Sequence, residues 1–207
     1  MKIAVIDTGS ANTRSVDAAL RRIDLDPVPV TEPDDVLAAD RVLLPGVGAF
    51  EAAMRQLREQ SLVEPLRERL RAGWPTLAVC IGLQLLCTKS EEGEGTEGLG
   101  ALPTVVGRFS GDVRVPHMGW NRVHAPTGAD WIEDGHAYFA NSYRVDGDAI
   151  EALNGEGWSV ATCDYDGSFV AAAARDGILA CQFHPELSGT WGLDLLRSWI
   201  VRTREAL

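Results

Sequence analysis

An apolar run passes directly into a helical pattern at Cys80, with no loop between the two. Thr76–Val79 follows Pro75 and is short and apolar, which predicts a buried strand. From Gly82 onward, several leucines and Cys87 suit a helix packed on its sheet. A residue at such a junction is lifted above the sheet edge and faces the free N–H groups of the helix, so the stretch predicts a nucleophile there. A buried structural cysteine is the alternative on this stretch alone.

The residues before Cys80 alternate between strand and helix patterns. Strands are predicted at 2–6, 27–30 and 41–44, with the second near a sheet edge because it contains prolines. Helical stripes follow the first and third strands, and the later stripe is broken near Ser61. This alternation predicts an α/β fold class, an open and mostly parallel sheet with helices on both faces.

After an acidic, glycine-rich loop at 90–100, the pattern changes to short strands separated by Asp-Gly and Asn-Gly turns. Strands are predicted at 105–109, 121–124, 137–145, 158–163, 169–174 and 178–183. They predict an antiparallel or mixed second half laid on the first. Ser188 is a candidate N-cap for a last helix. The loop is too short for a linker, so residues 1–207 are predicted to form a single domain.

Charge and cysteine content exclude several classes of function. The formal net charge of −11 argues against binding to nucleic acid or to an anionic membrane surface. The four cysteines show no C-x-x-C pair and no metal-ligand spacing, so no metal site is predicted and a reduced, cytoplasmic protein is expected. Met1–Asp7 has a strand pattern and not that of a signal peptide, and no stretch approaches the length of a membrane span.

A nucleophilic thiol needs a base, and His184 is the best placed of the four histidines. It follows the predicted strand 178–183 and is separated from Glu186 by one proline, which favours an extended segment with both side chains on one side. Glu186 then orients one ring nitrogen while the other faces Cys80. A surface turn at a strand end is the alternative for this tripeptide alone. Together with Cys80, it predicts a Cys-His-Glu triad where open α/β sheets bind ligands.

A third strand ends in the segment 45–48, Pro-Gly-Val-Gly, whose glycines let the backbone approach a substrate. The N–H groups of Val47 or Gly48, with that of Ile81, are candidates for an oxyanion hole. An ordinary strand-to-helix turn is the alternative. Gln84, one turn beyond the cysteine, is a candidate for binding polar substrate groups, or else a solvated helix residue.

These segments resemble the motifs of a known family. Cys80–Gln84 and Gln182–Glu186 are similar to the cysteine and His-Pro-Glu motifs of the class I glutamine amidotransferases. Pro45–Phe50 and Val115–Asn121 narrow the resemblance to the glutaminase subunits of imidazole glycerol phosphate synthases, and the run Pro-His-Met-Gly-Trp-Asn is the most specific of these features. The resemblance covers nearly the whole chain.

The resemblance implies a flavodoxin-like fold and the hydrolysis of glutamine to glutamate and ammonia. Cys80 attacks the side-chain amide, His184 relays the proton to the departing ammonia, and Glu186 orients His184. The ammonia passes to a partner, a (β/α)₈-barrel cyclase subunit, which makes imidazole glycerol phosphate and an aminoimidazole carboxamide ribotide in histidine biosynthesis. No metal or organic cofactor is implied.

Further positions take expected roles from the same resemblance. The substrate-binding positions are Gly46, Gln84, Asn141, Ser142 and Tyr143. The positions expected to face the cyclase are Asn12, His117, Met118, Gly119, Trp120 and Asn121. The chain departs from the family pattern at a few places outside the triad: Ala78 replaces glycine, Thr8 and Ala11 replace tyrosine and glycine, Asn141 replaces histidine, and Leu187 replaces lysine.

Two other functions stay open. A glutaminase subunit of pyridoxal phosphate or aminobenzoate synthesis would share the cysteine and histidine motifs, but the run 115–121 favours the histidine pathway. A non-catalytic interaction subunit with a relic triad is the other hypothesis, and the intact Cys80, His184 and Glu186 argue against it.

Overall fold

The structure is a computed structural model that describes residues 1–8, 14–30, 32–93 and 95–204. The strands are β1 (Lys2–Ile6), β2 (Asp26–Val30), β3 (Val42–Leu44), β4 (Thr76–Val79), β5 (Cys87–Ser90), β6 (Leu102–Arg108), β7 (His117–His124), β8 (Gly135–Asn141), β9 (Tyr143–Val145), β10 (Ser159–Asp164), β11 (Ser168–Arg175) and β12 (Ile178–Cys181). The α-helices are α1 (Arg14–Arg22), α2 (Pro33–Ala38), α3 (Phe50–Glu59), α4 (Val63–Arg71), α5 (Ile81–Leu85), α6 (Ile150–Gly155) and α7 (Gly189–Arg204). Short 3₁₀ turns cover Gly147–Ala149 and Pro185–Leu187.

Nine strands form one sheet in the order β2-β1-β3-β4-β12-β11-β10-β7-β8, and β5, β6 and β9 form a small second sheet. The pairings from β2 to β12 are parallel, and those from β12 to β8 are antiparallel. The α/β fold predicted from the first half is confirmed, with β2 at the sheet edge. The second half differs from the expectation of a layer laid on the first. Because β12 pairs with both β4 and β11, most strands of the second half extend the same sheet.

The core lies on both faces of the large sheet, because side chains of its strands alternate between two apolar clusters. In β4, Leu77 and Val79 belong to the cluster that also holds the buried residues of α1 and α7. Ala78 points the other way, into the cluster formed with α3, α4 and α5. Helices therefore cover both faces of the sheet, as parallel strands require.

The helix after Cys80 is shorter than its leucine spacing predicts. It ends at Leu85, and Cys87 begins β5. The reason is a competing set of backbone bonds: the N–H groups of Leu99 and Leu102 donate to the carbonyls of Leu85 and Leu86, at 2.8 Å each. These carbonyls therefore accept hydrogen bonds from a segment distant in sequence, which the local spacing of leucines does not reveal.

Three further differences concern short elements. The predicted strand 137–145 divides at Ser142, because β8 pairs with β7 in the large sheet while β9 pairs with β6 in the small one. The helices α2 and α6 were not predicted, and each has only six residues. Helices this short show fewer than two full turns of periodicity, so packing against neighbours decides them.

Gly82 lets the helix after Cys80 pack directly on the neighbouring strand. A Cβ atom at Gly82 would overlap the carbonyl oxygen of Leu44, the last residue of β3. That oxygen belongs to the backbone and cannot move aside cheaply. The glycine therefore fixes how closely α5 approaches the edge of the sheet where β3, β4 and β12 end together.

Replacing Gly82 by alanine should lower the free energy of unfolding by about 1–3 kcal/mol, as overpacking of a filled core does. Urea denaturation measures this directly. Gly155→Ala is the matched control, because Gly155 ends α6 and a Cβ there meets open space. The control should be neutral or stabilising by up to about 1 kcal/mol. Equal stabilities of the two variants would contradict the packing role of Gly82.

Candidate active site

Cys80 joins β4 to α5 in a backbone conformation that few non-glycine residues adopt. Its φ is 56° and its ψ is −109°. Its N–H donates to the carbonyl of Cys181 at 2.7 Å, and its own carbonyl accepts the N–H of Leu83 at 3.1 Å. These two bonds hold the turn from the strand side and from the helix side, so the strained conformation persists. The cysteine is thus presented at the sheet edge, with 7% of its surface exposed.

The loop 45–48 lies against this turn because two of its residues are glycines. A Cβ atom on Gly46 would overlap the side chain of Ile81, so only glycine allows this approach. Gly48 has a φ of 110°, a conformation that favours glycine. Val47 and Gly48 consequently line the same cavity as Cys80 and Ile81.

His184 reaches the site from the end of β12 and is fixed from three directions. Its N–H donates to the carbonyl of Tyr138 in β8 at 2.9 Å. Its carbonyl accepts the hydroxyl of Ser188 at 2.6 Å, and that hydroxyl oxygen accepts the N–H of Tyr138 at 3.0 Å. Its ring Nδ1 lies 2.8 Å from Oε1 of Glu186. Ser188, predicted as a helix cap, therefore uses its hydroxyl to tie the His184 segment to β8.

The environment of His184 favours its protonated form. Burial alone lowers the pKa of the ring, but hydrogen bonds and negative charge from Cys80 and Glu186 outweigh it and raise the pKa to about 10. Since Nδ1 bonds Glu186, Nε2 is the atom left to face the sulfur. The site can therefore hold an imidazolium beside a sulfur anion and supply a proton to a leaving group.

Gln182 is a polar neighbour of the sulfur to which sequence reasoning assigned no role. Its Nε2 lies 3.9 Å from Sγ of Cys80, and its Oε1 accepts Nε2 of Gln84 at 3.0 Å. Gln84 also donates to the carbonyl of Tyr143 at 3.0 Å. Gln84, a predicted substrate or solvent contact, is 3% exposed, and the N–H groups of its amide are donated to these two partners. The sequence feature that could have identified Gln182 is its position two residues before His184, because an extended segment places both side chains on one side.

A cavity of about 330 Å³ opens beside the cysteine. It brings together most of the residues predicted for substrate contact, and its lining comprises Val47, Gly48, Cys80, Ile81, Gln84, Glu92, Ala140, Asn141, Ser142, Tyr143 and His184. Oδ1 of Asn141 is buried without a hydrogen-bond partner in the part of the chain that the structure describes, while its Nδ2 donates to the carbonyl of Tyr143 at 2.9 Å. Gly46 lines a neighbouring cavity of about 160 Å³ with His184 and Glu186.

Glu92 is a second residue of this cavity that sequence reasoning missed. Its Oε2 accepts the N–H of Phe50, the first residue of α3, at 2.7 Å. The bond holds a carboxylate at the cavity, where it can attract a cation. Glu92 is one of several acidic residues in the loop 90–100, and no local pattern distinguishes it from the others.

A scan against family models matches residues 4–202 to glutamine amidotransferase class-I. The chain belongs to this family. Relatives similar along nearly the whole chain carry a more specific name. Imidazole glycerol phosphate synthase subunit HisH of Geobacter sulfurreducens is 39% identical, over 96% of this chain and 97% of that protein. The subunit HisH of Escherichia coli K12 is 38% identical, over 97% and 99%.

A third relative is longer. Imidazole glycerol phosphate synthase hisHF, chloroplastic, of Arabidopsis thaliana is 40% identical over 96% of this chain, which spans 34% of that protein. Among solved structures, one described as glutamine amidotransferase superposes with a TM-score of 0.75 at 20% identity, covering 98% of both chains. Likeness at that identity supports the fold of this amidotransferase chain and nothing finer.

The residues expected to face a partner separate into two groups in this amidotransferase. Met118 and Trp120 are 65% and 58% exposed. His117 differs from the expectation, because it is 4% exposed and its ring stacks on Tyr165, with 3.9 Å between ring centroids. Burial lowers the pKa of His117 to about 4, so the ring is neutral at physiological pH. It is a core residue, and it presents no surface for docking.

The remaining expected interface positions are less informative. Asn121 is half-buried and donates from Nδ2 to the carbonyl of Asp164 at 3.0 Å. Gly119 has a φ of 130° between the two exposed apolar residues. Asn12 lies outside the described residues, as does Ala11.

Within the described ranges, no group of three or more His, Cys, Asp or Glu side chains could hold a metal ion. No helix in those ranges is long and apolar enough to cross a membrane.

Exposed apolar residues gather beside the active site. Of the eight large hydrophobic residues that are exposed in the described ranges, four form what we call the apolar patch: Val47, Met118, Trp120 and Leu187. Val47 and Leu187 line the smaller cavity together with Tyr138 and Ala140. Trp120 and Met118 are the cross-strand partners of those last two residues in β7 and β8, so the four side chains are neighbours.

Replacing Glu186 by glutamine should lower the pKa of His184 below its value of about 10, because a negative charge that favours the imidazolium is lost. The NMR titration of His184 in histidine-labelled protein measures the change. Glu133→Gln removes an exposed carboxylate and is the matched control. An E186Q midpoint equal to wild type would contradict the role of Glu186.

The same variant has a signed effect on stability. A pKa raised from 6.5 to about 10 on folding contributes stability that is fully present below pH 6.5 and is lost as pH rises through 10. The stability lost in E186Q should therefore be largest below pH 6.5 and shrink towards pH 10. Urea denaturation at a series of pH values measures it, and a difference that grows with pH would contradict this account.

Proposed function

We propose that this chain is the glutaminase subunit of an imidazole glycerol phosphate synthase, acting in histidine biosynthesis as one amidotransferase domain spanning residues 1–207. It hydrolyses glutamine and delivers the ammonia to a cyclase subunit. The observation that carries the proposal is the chain of contacts from Glu186 through His184 to Cys80, in a chain about 40% identical to subunits of that name along nearly its whole length.

Cys80 is the nucleophile and His184 the proton donor. The sulfur attacks the side-chain amide carbon of glutamine, forming a carbon–sulfur bond and a tetrahedral oxyanion. His184 gives its Nε2 proton to the amide nitrogen, the carbon–nitrogen bond breaks, and ammonia leaves. A glutamyl thioester remains on Cys80. The raised pKa of His184 supports this order of events, because the ring starts as a proton donor.

Backbone N–H groups stabilise the oxyanion. Ile81 begins α5, where the first N–H groups of a helix have no partner within the helix. Val47 and Gly48, in the loop that packs against Ile81 through Gly46, line the same cavity. One N–H from Ile81 and one from Val47 or Gly48 would form the oxyanion hole, and removal of a single such donor typically costs about 100-fold or more in rate.

The second half of the reaction restores the cysteine. With ammonia gone, His184 is neutral and accepts a proton from a water molecule at Nε2. The resulting hydroxide attacks the thioester carbon, the carbon–sulfur bond breaks, and glutamate leaves. Glu186 stays hydrogen-bonded to Nδ1 during both proton transfers and keeps the ring oriented.

Charged and polar groups of the cavity fit the rest of the glutamine molecule. The carboxylate of Glu92 suits the α-ammonium group, and the unpartnered Oδ1 of Asn141 provides a second acceptor for it. The backbone of Ser142 and Tyr143 completes this part of the cavity. Asn141 stands where the family pattern usually has histidine, so in this chain an amide oxygen would take part in recognition.

The apolar patch is the proposed docking surface for the cyclase. It combines two exposed residues on β7 with Val47 and Leu187, which line the smaller cavity beside His184. A contiguous exposed apolar surface of this kind marks an interaction site. A partner seated there would cover the exit from the cavity and keep ammonia from reaching water. Leu187 replaces a lysine of the family pattern, so docking here relies more on apolar contact than on a charge pair at that position.

The name of the Arabidopsis relative supports a physical link between the two activities, since the name joins subunits H and F in one longer chain. The partner proposed for this chain is a (β/α)₈-barrel cyclase that makes imidazole glycerol phosphate and an aminoimidazole carboxamide ribotide. The names of the relatives disfavour pyridoxal phosphate or aminobenzoate synthesis. All four cysteines are free thiols, which supports a cytoplasmic location.

Glutamate release from glutamine tests this function. We expect slow release by the chain alone and at least tenfold faster release with the cyclase and its nucleotide ligand, because docking completes the backbone of the oxyanion hole. Cys80→Ala should abolish release in both settings. Cys163→Ala, in β10, should retain it.

Two results would contradict different parts of the proposal. Glutamate release that persists in Cys80→Ala would contradict the role of Cys80 as the nucleophile. Rapid glutamate release that does not depend on the cyclase would support the glutaminase activity and contradict the assignment to histidine biosynthesis.

A further inference from the structure

Among the described residues, two side-chain hydrogen-bonding groups converge on the Cys80 sulfur, and only one of them belongs to the triad. His184 is one. The other is the side-chain amide of Gln182, whose Nε2 lies 3.9 Å from Sγ. Both come from the segment that follows β12, and they are two residues apart, so an extended backbone points them to the same side. Phe183, between them, is fully buried and packs its ring against Phe139 and Trp191.

The hydrogen-bond chain behind Gln182 decides which end of its amide faces the sulfur. The carbonyl of Tyr143 can only accept, so Gln84 must turn its Nε2 towards it, at 3.0 Å. The same Nε2 donates to Gln182 at 3.0 Å, which requires the oxygen of Gln182 at that contact. The nitrogen of Gln182 is therefore left to face Cys80. One backbone carbonyl thus sets the orientation of two amides and directs a donor at the sulfur.

Burial makes this arrangement costly unless every group is used. Gln182 is fully buried and Gln84 is 3% exposed. Taking an amide out of water without hydrogen bonds is unfavourable, and two leucines would fill the same space without that cost. Each Nε2 and the oxygen of Gln182 has a protein partner instead. The buried pair Gln182 and Gln84 is therefore explained by its effect on the reactive sulfur of Cys80.

We propose that Gln182 is a positioning residue for the nucleophile: its amide donates to the Cys80 sulfur, and Gln84 with the Tyr143 carbonyl keeps that amide from turning over. The inference rests on the proposed role of Cys80. The amide supplies something that His184 cannot. His184 gives up its proton when ammonia leaves and regains one only from the water that attacks the thioester, whereas an amide does not ionise, so Gln182 offers the sulfur a constant donor through the whole cycle.

The chain also connects the sulfur to the substrate segment. Tyr143 follows Asn141 and Ser142, which line the cavity proposed for glutamine. A shift of the Tyr143 carbonyl would release Gln84 and then Gln182. Glutamine seated on this segment is therefore placed to hold the amide chain in its working arrangement.

The test is the pH dependence of Cys80 alkylation by iodoacetamide in the full chain, followed by mass spectrometry of the Cys80 peptide. Gln182→Met keeps the side-chain length and removes the donor. We expect alkylation about tenfold slower near neutral pH, with the rise in rate displaced to higher pH, because the sulfur anion loses a hydrogen bond. Thr76→Val, at the far end of β4, removes a buried hydroxyl that bonds Arg69 and Trp74, and it should leave the profile unchanged.

A second variant keeps the proposal testable if Gln182→Met fails to fold. Gln84→Leu leaves the Gln182 donor in place but lets its amide turn, so we expect a smaller displacement in the same direction. A wild-type profile in folded Gln182→Met, or in Gln84→Leu, would overturn the proposal. Glutamate release separates this result from the proposed function: loss in Cys80→Ala beside a wild-type Gln182→Met profile defeats only the role of Gln182, while release that survives Cys80→Ala defeats the nucleophile itself.

Discussion

The active site depends on the parallel pairing of β4 with β12. Val79 lies opposite Cys181, and the N–H of Cys80 extends the ladder by one more bond to the Cys181 carbonyl. This register brings the segment after β12 beside Cys80. A slip of one residue would turn Gln182 and His184 to the other face and put the ring of Phe183 at the sulfur, because side chains alternate along an extended backbone. The strand register therefore determines the geometry of the site more than any single side chain does.

Two buried histidines show how neighbours decide the chemistry of one side chain. His117 lies among aromatic rings, and burial lowers its pKa to about 4. His184 is also buried, yet negative charge from Cys80 and Glu186 raises its pKa to about 10. Burial disfavours the cation in both places, and the outcome differs because hydrogen bonds to Cys80 and Glu186 favour the cation at His184. The fold thus keeps one ring neutral for packing and the other charged for proton transfer.

Features with a short-range signal were predictable from sequence. The strand–cysteine–helix junction and the His184–Glu186 spacing each lie within a few residues, the alternation before Cys80 is a series of such local patterns, and the structure contains all of them. The burial of His117 was missed because the predicted strand began at 121, whereas β7 begins at His117 and puts it on the same face as the buried Val123. By contrast, Gln182, one of the two hydrogen-bond partners of Gln84, is 98 residues away from it, and the end of α5 is set by a segment beginning at Leu99. Such pairings depend on the assembled sheet, which no local pattern encodes.

The central claim is that Cys80 becomes acylated during turnover. The most direct measurement is mass spectrometry of the cysteine-containing peptides after glutamine, the cyclase and its nucleotide ligand are mixed with the chain and quenched with acid. The account predicts one glutamyl group on the Cys80 peptide, absent when glutamine is omitted. An unmodified Cys80 during active glutamate release, or a glutamyl group on Cys87, Cys163 or Cys181 instead, would contradict it.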